Sequence, residues 1–118
     1  MRTRAAGTLL LALDTARVLV CKRTDDGTWS VPAGHVEHAE GARHAAAREL
    51  FEETGYAGPA RVTGWCLLPG NFILYVAEIP REFVPVLNHE HSACRWVPVG
   101  ALPSPLHPGL RAFLGRQG

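Results

Sequence analysis

Apolar residues in this chain come in short runs closed by turn-forming residues, and one central segment breaks that habit with helical spacing. Residues 5–13 are continuously small or aliphatic and end at Asp14-Thr15, which predicts a buried β-strand. Residues 16–23 predict a second strand, hairpin-paired with the first, and Thr24 to Gly27 is turn chemistry. Trp29 to Val31 reads as a short extended piece halted by Pro32. Residues 41–54 predict a helix: rich in Ala, Arg, Glu and Leu, free of Pro, and stopped by Gly55. Ala46, Ala47, Leu50 and Phe51 form its expected apolar arc. Residues 60–67 and 72–79 predict strands separated by Pro69-Gly70-Asn71, and 93–98, around Trp96, another. Pro105 and Pro108 then lead into a short amphipathic helix with Leu110, Phe113 and Leu114 inward. Strands on either side of a central helix, with a second helix at the end, imply a layered α/β or α+β domain with a mixed sheet. With no repeat and no low-complexity linker, residues 1–118 are expected to form one domain.

Composition narrows the functional classes. Hydrophobic residues make up 47% and charged residues 19%, so the chain is globular rather than disordered. The formal net charge of +1 argues against an extended nucleic-acid surface, which needs a basic excess. No run is long enough to span a bilayer. The apolar N-terminal stretch is short, ends at Asp14 and lacks a small-residue cleavage site, so it reads as a core strand rather than a leader. Cys21, Cys66 and Cys94 are odd in number, far apart and in no CxxC pattern; they read as reduced thiols of a cytoplasmic protein, packed as small hydrophobes.

Charge is uneven. Glu37, Glu40, Glu49, Glu52 and Glu53 fall in one short segment, an acidic knot in a near-neutral chain. Glu49, Glu52 and Glu53 stand at i, i+3 and i+4, so they share a helix face. Like charges at that spacing repel by roughly 0.2–0.5 kcal/mol per pair. A helix's last turn also disfavours carboxylates, by about 0.3–1 kcal/mol each. Stability alone would not arrange residues this way, whereas a hard divalent cation reverses both costs. A solvated acidic face is the bland alternative at this point.

The flanking residues decide between them. Gly34, Glu40, Arg48-Glu49-Leu50, Glu52-Glu53, Gly55 and Tyr56 fit the pattern G-x5-E-x7-R-E-U-x-E-E-x-G-U, with U a bulky hydrophobe. This resembles the signature of the Nudix (MutT-like) hydrolases, and chance would produce it on the order of once in ten million such chains. Trp29 to Glu37 and Arg95-Trp96-Val97-Pro98 resemble the family around the box. The resemblance implies an α-β-α sandwich around a mixed central sheet. It also implies Mg²⁺-dependent attack of water on a phosphorus of a nucleoside diphosphate joined to another group, with Mn²⁺ able to substitute. By that resemblance Glu52 and Glu53 are metal ligands together with the Gly34 carbonyl, Glu49 is a further ligand or the general base, and Arg48 holds the glutamates. Glu40 supports the helix start, and Glu90, six residues before Trp96, supplies one more ligand or the base. Ala33, where a second Gly is frequent, and Tyr56, in place of an aliphatic residue, depart from the pattern without touching the carboxylates.

The implied substrate is a small nucleotide, a (deoxy)nucleoside triphosphate first, with ADP-ribose, dinucleoside polyphosphates and pterin triphosphates open. No nucleic-acid or membrane partner is expected, and a homodimer is compatible. A nucleotide-sensing module without catalysis is the competing class; the intact glutamates weigh against it. Six histidines raise zinc, but no HExxH and no cysteine at ligand spacing accompany them. His89 and His91 read as ordinary loop residues, and Trp29 and Trp96 as core anchors rather than stacking platforms. Phe72 and Tyr75 have opposite strand parity and so cannot share a pocket on a regular strand.

Overall fold

A computed structural model describes residues 3–117; Met1, Arg2 and Gly118, the ends of the expected domain, lie outside the described residues. The strands are β1 (Ala5–Ala12), β2 (Arg17–Arg23), β3 (Trp29–Ser30), β4 (Ala33–His35), β5 (Arg61–Leu68), β6 (Phe72–Ile79) and β7 (His91–Val97). The helices are α1 (Ala42–Thr54) and α2 (Pro108–Gln117), with a 3₁₀ turn at Val99–Ala101. Strand β4 and the 3₁₀ turn were not expected from the sequence, and β7 starts two residues before the expected 93.

All seven strands join one mixed sheet. Its main path runs β3-β2-β1-β6-β5, with β1 and β6 parallel and the other pairs antiparallel. Period-2 alternation sorts the apolar runs onto two faces. Leu9, Val18, Val20, Val31 and Leu74 pack with Leu110 and Phe113 of α2 on one face. Leu10, Leu19, Ala77 and Ile79 pack with Leu50 of α1 on the other. Ala6 meets Ala45 and Ala46, small residues that let α1 lie close over β1. The result is helix, mixed sheet, helix: an α-β-α sandwich.

One irregularity of the sheet builds the site. Strands β1 and β2 are in register only at Leu11↔Val18 and Ala12↔Arg17, beside their hairpin turn. Beyond that they diverge, and the chain from 29 to 35 fills the split. Its first part pairs with β2 (Cys21↔Ser30) and its second with β1 (Ala6↔Gly34). Pro32, which has no amide hydrogen to donate, sits at the crossover, and its carbonyl accepts from Thr8 N–H at 3.1 Å.

Two sequence expectations are corrected here. The buried face of α1 is Ala45, Ala46, Glu49, Leu50, Glu53 and Thr54, while Ala47 and Phe51 are exposed. The helix is thus rotated so that two carboxylates point inward, at the expense of a Phe that is 55% exposed. Cys21 and Cys94 form a disulfide rather than two reduced thiols. They lie 73 positions apart in sequence, yet β2 and β7 pair them directly, with Cα atoms 4.1 Å apart.

Candidate active site

Helix α1 starts at Gly41 without a side-chain cap and ends at Gly55, whose φ of 79° is the left-handed conformation that glycine adopts without steric cost. Its last turn is satisfied partly by its own chain and partly by the loop that leads to β7. Gly55 N–H donates to the Phe51 carbonyl at 2.8 Å, Val86 N–H to that of Thr54 at 2.8 Å, and Asn88 Nδ2 to that of Glu52 at 3.0 Å. Asn88 Oδ1 accepts from Glu90 N–H at 3.0 Å, and the Glu90 carbonyl accepts from Thr24 N–H at 3.0 Å. These bonds satisfy helix-end carbonyls and pin Glu90 against the same end of α1.

Glu49, Glu53 and Glu90 converge, each offering a carboxylate oxygen within 4.8 Å of the others. Glu53 is only 1% exposed. Burial, together with the carboxylates of Glu49 and Glu90, pushes its carboxyl well above the usual range. Ala33 N–H reaches Glu53 Oε1 at 3.4 Å, while Oε2 is buried without a hydrogen-bond partner. An added Cβ at Gly34 would overlap the Glu49 carboxylate, so β4 can pass this close only as glycine. Three crowded carboxylates and an orphaned buried oxygen are a donor set that suits a hard cation.

Glu52 stands apart from this group. Successive helix positions differ by about 100°, so a residue next to the inward Glu53 turns toward the helix flank. There Glu52 accepts from Arg48 Nη1 at 2.9 Å, with its side chain 47% exposed. Arg48 donates to four residues, Glu52 among them. Its Nε and Nη2 form a bidentate pair with Glu40 at 2.8 and 2.9 Å, Nη1 also reaches Glu49 at 2.9 Å, and Nη2 donates to the His35 carbonyl at 3.0 Å. Glu40 is held down to about 2 by the Arg48 fork and by Glu37 N–H. The Arg48 guanidinium, so surrounded, is held more firmly charged than usual. Glu40 and Arg48 therefore tie the loop before α1 to its outer flank and fix the Glu49 side chain.

His91 was read from sequence as a loop residue and is instead the buried first residue of β7, 7% exposed. Its Nδ1 lies 3.4 Å from Glu53 Oε1, and burial, the largest influence, favours the neutral ring. No local pattern could have placed it there, because only the register of β7 on β2 does so. Trp29 is a core residue with the Arg95 guanidinium 5.2 Å from its ring centre. Trp96 packs edge-on against Phe83 and donates to its carbonyl at 2.9 Å.

Glu53 and Glu90 line a cavity of about 550 Å³ in the split between β1 and β2, together with Ser30, Val31 and Phe72. Tyr75, of the opposite parity, lines a separate cleft beside α1. Arg23 stands in the cavity wall locked onto Asp25 at 3.0 and 2.7 Å, which holds the Asp25 carboxyl down to about 2.

With this geometry established, comparison with known proteins gives a family. The NUDIX domain model matches residues 1–117. The chain belongs to the NUDIX family. Among named relatives, a Bacillus subtilis 8-oxo-dGTP diphosphatase is 41% identical over 56 residues, 48% of this chain and 37% of that protein. The phosphatase NudJ of Escherichia coli strain K12 is 36% identical over 92 residues, 69% of this chain and 60% of NudJ. The chain therefore spans less than two thirds of the length of either curated relative. The solved Nudix hydrolase RenU of M. smegmatis superposes with a TM-score of 0.74 at 28% identity, covering 98% of this chain and 83% of RenU. Among the described residues, no helix is long and apolar enough to cross a membrane.

Proposed function

We propose that this NUDIX domain is a pyrophosphohydrolase that cleaves a diphosphate linkage in a small nucleotide, a (deoxy)nucleoside triphosphate or a similar nucleoside diphosphate derivative. The observation that carries the proposal is the cluster of Glu49, Glu53 and Glu90, of which Glu53 and Glu90 line a nucleotide-sized cavity. Glu49, Glu53 and Glu90 would hold Mg²⁺, with Mn²⁺ as a substitute, assisted by the Gly34 carbonyl and by Glu52 from the flank. When bound, the cation supplies charge neutralisation of the diphosphate and acidification of a water. Arg48 keeps Glu49 and Glu52 in place, and a carboxylate of the cluster, Glu49 or Glu90, takes the proton of the attacking water. The complete set of glutamates favours turnover over mere sensing.

The test is a hydrolysis screen with Mg²⁺ across nucleoside triphosphates, nucleotide sugars, ADP-ribose and dinucleoside polyphosphates, scoring phosphate and pyrophosphate release. Turnover that disappears with chelator supports the reading. Absence of turnover on every class would reject it in favour of a sensor. We infer no nucleic-acid partner, in keeping with the near-neutral charge.

A further inference from the structure

Ala46, Ala47, Leu50 and Phe51 form the apolar arc expected of α1, yet Ala47 and Phe51 are left exposed by the core. All four line a second cavity, of about 330 Å³, bounded by α1, residues 56–60 and the sheet. Arg43 extends the arc by one turn. Positions 43, 46, 47, 50 and 51 share one flank of the helix, so the Arg43 side chain leaves α1 on the cavity side. Arg43 also borders the open groove beside Arg61 and Pro80, which puts it at the mouth. Among the described residues it makes no ion pair and no hydrogen bond.

Strand parity sets the floor. Ala6 and Leu10 of β1 pack on the α1 side of the sheet, and Thr8 between them points the same way. Tyr75 stands beside Thr8 in register and lines the same cavity. Thr8 is 6% exposed, and its hydroxyl has no hydrogen-bond partner among the described residues. The side-chain polar atoms sealed away without a partner are Glu53 Oε2 and His91 Nδ1, so the Thr8 hydroxyl is not sealed and opens onto the cavity that Thr8 lines. A polar atom of a ligand placed there would satisfy a hydroxyl that the fold leaves unpaired. No residue lines both this cavity and the one beside the carboxylates.

Apolar and aromatic walls, a hydroxyl on the floor and an unpaired guanidinium at the mouth define the complementary molecule. It is a ring with a polar atom at one end and a carboxylate, which a guanidinium matches, at the other. We propose that this cavity is a second ligand site, for a small aromatic acid whose ring packs against Leu50, Phe51 and Tyr75, whose distal oxygen bonds to Thr8 and whose carboxylate pairs with Arg43. The site goes beyond the hydrolase reading and uses none of the residues that reading depends on.

The experiment titrates the domain with four compounds, 4-hydroxybenzoate, 6-hydroxy-2-naphthoate, benzoate and 4-hydroxybenzamide, and follows backbone amide NMR shifts. At least one hydroxylated acid is expected to give saturable shifts at Thr8, Ala47 and Tyr75, and to bind more tightly than benzoate or the amide. Thr8→Val keeps the shape of the floor and should weaken the hydroxylated acids by roughly twofold to tenfold, the value of one hydrogen bond, while leaving benzoate unchanged. Arg43→Gln, at the surface, should weaken the acids by up to about fivefold and leave the amide unchanged, as for a solvent-exposed ion pair. Thermal unfolding checks that both variants fold. Absence of saturable shifts with all four compounds, or shifts confined to Ser30 and Glu90, overturns the proposal. So does binding that neither variant alters. None of these results touches the hydrolase reading, which stands or falls on the turnover screen.

Discussion

Replacing Glu53 by Gln separates the energetic cost of the site from its chemistry. In metal-free protein the Glu53 carboxyl is buried beside two other carboxylates and stays protonated above its ordinary value of 4.5. The unfolded chain releases that proton near 4.5, so the folded state binds more protons than the unfolded state between there and the elevated folded value, about 10. Stability contributed by this group is therefore complete below pH 4.5 and is lost as the pH rises toward the elevated folded value. At pH 7 the loss amounts to ~3 kcal/mol, from about 1.4 kcal/mol per pH unit of unmatched ionisation. Gln cannot ionise in either state and carries no such slope. The expected outcome, in urea denaturation with chelator present, is that Glu53→Gln gains on wild type by about 1.4 kcal/mol for each pH unit between 5 and 7. Any unmet amide hydrogen of the Gln shifts both ends of that comparison equally and leaves the slope intact. With Mg²⁺ added the order should reverse, because the cation stabilises only the chain with the full donor set, and hydrolysis should fall by orders of magnitude. A stability difference that does not change with pH would refute the claim that Glu53 is held neutral by its neighbours.

Four further outcomes follow from the same geometry. Arg48→Ala strips partners from Glu40, Glu49 and Glu52, and should lower stability in denaturant titrations while loosening Mn²⁺ affinity by calorimetry. Gly34→Ala drives a methyl into the Glu49 carboxylate, so Mn²⁺ affinity and turnover should collapse together; near-wild-type affinity would show that β4 can move aside. Gly55→Ala places a Cβ at a φ of 79° and should lower stability by about 1–2 kcal/mol, read as a drop in Tm. Reduction of Cys21–Cys94, which closes a loop of 73 positions, should cost up to ~4 kcal/mol, with Cys94→Ser insensitive to the reductant.

What could be read from the chain follows how local each determinant is. The i and i+4 spacing of Glu49 and Glu53 is a property of the helix itself, so their shared inward face was legible, as were the α1 stop at Gly55 and the β1–β2 hairpin turn. Glu52 shows the limit of spacing. The pattern places it near its neighbours, but the 100° step from the inward Glu53 turns it to the flank, where Arg48 holds it. The exposed Phe51 follows from the same rotation, since burying Glu49 and Glu53 leaves no room for an apolar arc through positions 47 and 51. Cys94, His91 and His107 take their places from pairings between distant segments, β7 on β2 and the α2 entry on Trp29, and nothing within a few residues of them encodes those partners.

Those distant pairings also explain why the site lies where it does. Full pairing of β1 with β2 would seal the sheet and leave the inward carboxylates of α1 facing a closed apolar layer. Because the two strands part after two registered positions, residues 29–35 can cross between them and bring Gly34 beneath Glu49. The same divergence exposes the end of β2, where β7 delivers Glu90 and His91 beside Glu53 and where the α2 entry delivers His107. A chain that closed the split, by lengthening the β1–β2 register, is expected to retain a folded sandwich and to lose its cation affinity.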